Sequence, residues 1–179
     1  MWDVFAPEGI CKTIIGYTFN IDTGTSASVC CCPLSYSPNK NKVIAKQLQV
    51  LLDNKWVKEC VGGSFRVPIV LAPKPHQEEI DKIEDFIWRM CVSYRALNKV
   101  TKSFMYPIRQ CNDAVESLGN GAGQLYFITL DCLQGYHQIN VYYWGQDKLA
   151  LFGPDRKKYI STVMSFGPGN ASPCYTAII

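Results

Sequence analysis

The chain has 179 residues, of which 47% are hydrophobic and 18% charged, with a net charge of +3. These values fit one packed domain and exclude disordered and collagen-like classes; no apolar run reaches the roughly 18–20 residues of a membrane-spanning helix. Charge is uneven: residues 1–38 carry a net −2, residues 39–110 a net +6 and residues 111–179 a net −1, so a phosphate-facing surface is expected in the middle segment.

The first residues (MWDVFAPEGICK) lack the basic start and apolar core of a secretory signal, so an intracellular protein, cytoplasmic or nuclear, is expected. Residues 1–38 read as an N-terminal extension or linker with two short strands, Ile14–Phe19 and Ser28–Cys32. Nine cysteines (11, 30, 31, 32, 60, 91, 111, 132 and 174) include no C-x-x-C pair, and His76 and His137 stand alone. Reduced thiols and no zinc are the expectation.

From Pro38-Asn39 a helix is predicted with Ile44, Leu48, Leu51 and Leu52 on one face, ending at Trp56-Val57. After the Gly62-Gly63-Ser64 loop, Val67–Ala72 is a short apolar strand. The polar stretch 73–86 is a long hairpin connection. Ile87–Arg95 alternates: Trp88, Met90, Val92 and Tyr94 point one way, and Arg89, Cys91, Ser93 and Arg95 the other. Arg89 and Arg95 on one strand face would suit an anionic ligand.

Asn112 or Asp113 caps a short helix that ends near Gly119. Leu125–Leu130 is an apolar strand running into Asp131. Strands follow at Gln138–Tyr143 and Lys148–Phe152, then a turn at Pro154-Asp155, a strand at Tyr159–Phe166 with an open edge, and a final loop into a helix. Helices and mainly antiparallel strands without a β-α-β repeat give an α+β class. Asp131 attracts attention because a carboxylate where a buried strand ends must meet a cation, a donor or water. With the Cys132 backbone carbonyl beside it, it suits an oxygen-seeking ion such as Mg²⁺; taken alone, a turn or capping role competes with that reading.

Three runs then carry a resemblance. Trp88-Arg89-Met90-Cys91-Val92-Ser93-Tyr94-Arg95-Ala96-Leu97-Asn98 resembles the W-R-M-C-V-D-Y-R-x-L-N of reverse transcriptases. Leu130-Asp131-Cys132-Leu133-Gln134-Gly135-Tyr136-His137-Gln138-Ile139 is similar to the L-D-L-x-x-G-Y-H-Q-I of gypsy-class long-terminal-repeat retroelements. Val163-Met164-Ser165-Phe166-Gly167-Pro168-Gly169-Asn170-Ala171 is similar to their V-M-P-F-G-L-x-N-A-P. Weaker matches upstream extend the likeness over roughly residues 17–179.

The resemblance implies a right-hand polymerase fold, with fingers and an incomplete palm over 39–179. Asp131 would be the first metal-binding carboxylate, with Mg²⁺ or Mn²⁺ also meeting the Cys132 carbonyl. Tyr136 would lie under the incoming sugar and exclude a 2′-hydroxyl. Arg89, with Lys74 near the finger hairpin, would hold the triphosphate, Arg95 would also bind the nucleotide, and Phe166 and Gly167 would line the nucleotide pocket. The implied partners are an RNA or DNA template-primer, a deoxynucleotide and the remainder of the polymerase, with no membrane. The family's second carboxylate motif, Y-x-D-D, is missing, and no Asp-Asp pair occurs in the 179 residues, so this chain alone is expected not to polymerise. Ser93, Ser165 and Ser172 depart from the family's Asp, Pro and Pro.

Two rivals remain. One is a non-catalytic relic or interaction domain with residual nucleic-acid binding. The other is an aspartic protease, from Asp22-Thr23-Gly24; the Lys-rich helix that follows in place of a Gly-rich flap argues for a turn instead.

Overall fold

The computed structural model describes residues 13–73, 88–107, 112–113, 115–116 and 132–179. Helix α1 (Pro38–Asp53) starts where Pro38 presets the helical φ. It buries Ile44 and Leu48 and half-buries Leu51 and Leu52. It stops earlier than the apolar pattern suggests: Asn54 turns its side-chain amide onto the Val50 carbonyl (2.8 Å), and Lys55 takes a left-handed φ of 59°. Trp56 and Val57 are therefore past the helix.

Among the described residues, seven short strands follow the α+β expectation: β1 (Thr18–Phe19), β2 (Val57–Glu59), β3 (Ile69–Pro73), β4 (Trp88–Val92), β5 (Asn140–Val141), β6 (Leu151–Phe152) and β7 (Lys158–Ser161). β3 and β4 pair antiparallel, with Ala72 opposite Arg89, as a hairpin requires; the connection itself lies outside the described residues. β2, β7 and β6 form an antiparallel sheet in that order. The open edge expected after Tyr159–Phe166 is thus not found on β7, which is the central strand, flanked on both sides.

β1 pairs parallel with β5. Phe19 and Ile21 are buried in the same core as Leu48, Val67, Leu97, Ile139, Leu149, Leu151 and Met164. Residues 13–37, expected as an extension, are therefore woven into the domain. Of the two strands expected there, the first shrinks to β1 and the second to a single bridge between Cys30 and Arg66.

The strands expected at Gln138–Tyr143 and Lys148–Phe152 shrink to β5 and β6, because Tyr143–Leu149 coils into a 3₁₀ segment. Two part-buried tertiary contacts hold that coil. Lys148 donates to the Ile21 carbonyl (2.6 Å), and Asp147 pairs with Lys158, whose ammonium also donates to the Gly62 carbonyl (2.6 Å). Lys158 is only 8% exposed, and a buried ammonium is tolerated only when it is answered in this way.

Helix α2 (Arg95–Val100) follows β4 directly, and α3 (Ala171–Ile178) closes the described chain. No helix among the described residues is long and apolar enough to cross a membrane. Leu48, 4% exposed, reaches the turn between β6 and β7, where a Cβ on Gly153 would lie 3.1 Å from its Cδ2. Leu48→Ala is expected to cost about 2–5 kcal/mol by cavity formation; urea unfolding checks this, and an unchanged midpoint would contradict the packing.

Candidate functional site

Two carboxamides join segments that lie far apart in sequence. Past β4 the alternation ends, Tyr94 and Leu97 turn into the core, and α2 projects Asn98. The Asn98 side chain donates to the Gly167 carbonyl (3.0 Å) and accepts from the Gly169 N–H (2.9 Å). Asn170 answers in reverse, donating to the Lys102 carbonyl (2.7 Å) and accepting from the Phe104 N–H (3.0 Å). Gly167 has φ +109°, a conformation that favours glycine, and a Cβ there would lie 3.1 Å from Tyr94 Cδ2, a tight contact. Burial pushes the Tyr94 phenol up to about 12, which keeps this support neutral.

The third segment is a 3₁₀ turn, Gly135–Gln138, entered through Gln134 at φ 48°. Gly135 lies under the Tyr175 hydroxyl, which occupies the place of any Cβ. Tyr136 stacks on Phe166 (centroids 4.7 Å, planes 23° apart), tilts against Tyr175 (5.0 Å) and shares a 2.8 Å hydrogen bond with Ser172 Oγ. His137 stacks on Trp56 (4.4 Å) and meets Phe166 edge-on (5.7 Å). Its Nδ1 is buried without a hydrogen-bond partner, and burial lowers its pKa. Phe166 remains 61% exposed. The result is an open aromatic wall backed by a phenol of fixed orientation, suited to stacking a sugar or base.

The structure thus brings together Tyr136, Phe166 and Gly167. Arg89 is exposed on β4, in a stretch held rigid by Gln47 of α1, which donates to the Trp88 carbonyl (2.7 Å) and accepts from the Met90 N–H (2.8 Å). Arg95 requires a correction. The strand stops at Val92 and Arg95 is the exposed first residue of α2, so the two arginines do not share a strand face. Asp131 and Lys74 lie outside the described residues. Cys132 is exposed. Among the described residues, no three His, Cys, Asp or Glu side chains gather as a metal set.

Asp22 sits in an exposed turn. Its carboxylate accepts from the Gly24 N–H (2.7 Å) and pairs with Lys102 (2.9 Å). Both contacts hold its pKa below the ordinary carboxylate range, the backbone bond most. A carboxylate held ionised in this way is the reverse of one sharing a proton with a twin. Sequence reasoning passed over Asn98, Asn170 and Gln47. The two asparagines stand inside the quoted motifs, and a polar amide beside a Gly-rich loop was the available signal.

No protein-family model matches the sequence. The chain is 30% identical over 124 residues to a Retrovirus-related Pol polyprotein from transposon 412 of Drosophila melanogaster, a match covering 69% of this chain and 9% of the polyprotein. It is likewise 30% identical over 159 residues to the Pol polyprotein from transposon opus of the same fly, covering 89% of this chain and 15% of the relative. Its fold matches that of a foamy viral protease-reverse transcriptase in complex with an RNA/DNA hybrid, with a TM-score of 0.76, 22% identity, and coverage of 96% of this chain and 21% of the other. The chain therefore spans a small fraction of the length of each.

Asn98→Ala is expected to cost about 1–2 kcal/mol and to speed amide exchange at 167–170 in hydrogen-exchange mass spectrometry; unaltered exchange there would remove the clamp. His137 binds its proton less well folded than unfolded. Stability is therefore full above the unfolded value of about 6.5 and falls as pH drops through the lowered folded value. Melting curves at pH 7.5 and 5 should show this loss, and His137→Gln should flatten it.

Proposed function

Because this chain belongs with the reverse transcriptase domains of retroelement Pol polyproteins, its motifs being those of the gypsy class, we propose that it forms the fingers and partial palm of an RNA-directed DNA polymerase. The observation that carries this reading is the meeting of three motif segments on one aromatic wall: Asn98 on the Gly167 loop, and Tyr136 on Phe166. In this reading Tyr136 lies under the incoming sugar and excludes a 2′-hydroxyl, while Phe166 and Gly167 line the nucleotide pocket. The Ser172 tie fixes the phenol so that its ring edge stays at one height.

Arg89 from a strand and Arg95 from a helix start meet the nucleotide phosphates as separate cations, with Lys74, outside the described residues, as the third. The net +6 of residues 39–110 favours phosphate contact by the same part of the chain. The bound partner would be a template-primer. The foamy viral relative was solved with an RNA/DNA hybrid, which supports nucleic acid as the partner class.

For the metal, the Asp131 carboxylate, outside the described residues, and the Cys132 carbonyl would supply oxygen ligands of the kind Mg²⁺ or Mn²⁺ prefers. When bound, such ions stabilise the attacking and leaving oxygens of phosphoryl transfer. That centre needs carboxylates from two places, and the 179 residues contain no Asp-Asp pair. The chain alone is accordingly expected not to extend a primer.

Primer extension on an RNA template tests this, comparing the chain, a version continued by about a hundred residues, and Asp131→Ala in the longer version. The short chain should be inactive, the longer one active, and Asp131→Ala reduced by about 10²-fold or more. Extension by the short chain contradicts the inactivity. Equal activity of Asp131→Ala contradicts the ligand role.

A further inference from the structure

A groove of about 530 Å³ opens between residues 33–36 and the turn joining β6 to β7. It shares no residue with the Tyr136–Phe166 wall. Leu34, Phe152 and Pro154 give it an apolar side, and Arg66 and Arg156 give it charge. Arg66 is built in rather than loosely placed. Its backbone pairs with Val29 and Cys31 (2.8 and 2.9 Å), its guanidinium lies over the Phe152 ring (4.9 Å), and Nη2 donates to Cys30 Sγ (3.0 Å).

Its Nε, however, is buried with no acceptor. The side chain as a whole is only half-buried and lines the groove, so an anion there would meet its charge. Arg156 also lines the groove, on the turn, at φ 63°. The nearby acid, Asp155, is already engaged by the Tyr159 hydroxyl (2.6 Å) and the Lys157 N–H (3.2 Å).

We propose that this groove binds one nucleotide unit, with its phosphate between Arg66 and Arg156 and its base against Leu34, Phe152 and Pro154. Planar forked guanidinium suits phosphate, the apolar side suits a flat base, and the volume falls within the range of small-ligand sites. A free nucleotide and one unit of a single strand present the same chemistry.

The test uses the whole chain with two probes, labelled adenosine monophosphate and a labelled twelve-residue oligothymidine, in anisotropy titrations against NaCl. Hydrogen exchange maps the contact. Protection of 33–36 and 152–156 by either probe is expected, and which probe protects identifies the source. Arg156→Asn, which tolerates the left-handed turn, should weaken binding about tenfold and lower the salt slope by about one. Arg66→Gln should act likewise, and if it unfolds, Arg156→Asn alone decides. Arg89→Gln, a change in the proposed polymerase site, should leave groove protection intact, so the two readings fail separately. Absence of protection with both probes, or wild-type affinity and slope in Arg156→Asn, overturns the proposal.

Discussion

The arrangement of the candidate site depends on one carboxamide. Asn98 can donate and accept from the same short side chain, so it takes both a carbonyl and an N–H of the loop at 167–169. A carboxylate would only accept, and an ammonium would only donate. Because Asn170 reaches back to the backbone at 102 and 104, the exit of α2 and the loop are joined in both directions. The loop that contains the positive-φ Gly167 is thereby tied at both of its ends.

From that loop an aromatic series runs through the molecule: Trp56 on His137, His137 against Phe166, Phe166 on Tyr136, and Tyr136 against Tyr175. Each such contact is worth about 0.5–1.5 kcal/mol beyond area burial. Their larger effect is geometric. The start of β2, the 3₁₀ turn at 135–138 and α3 share one set of ring positions, so Phe166 can stay exposed without losing its orientation.

Much of this was readable from residue order. The apolar face of α1 and the alternation of β4 are local periodicities, and neither needed a partner to be seen. The ends of elements were not readable in the same way. Arg95 continues the polar phase of β4 on paper, yet Tyr94 and Leu97 are drawn into the core and a helix begins instead. The 3₁₀ coil at Tyr143–Leu149 interrupts two promising strands because Lys148 and Asp147 answer groups more than eighty residues away, at Ile21 and Ser64. The motifs singled out Tyr136, Phe166 and Gly167, which the fold places side by side, whereas the amides that hold them carry no periodicity.

Gln47 has a consequence for the outer side of the β3–β4 hairpin. Its amide occupies a carbonyl and an N–H on the margin of β4 that faces away from β3, where an intruding chain would otherwise dock by main-chain pairing. The helix thereby acts as a molecular doorstop: Gln47 imitates one rung of a missing ladder, so those two backbone groups are already satisfied within the chain.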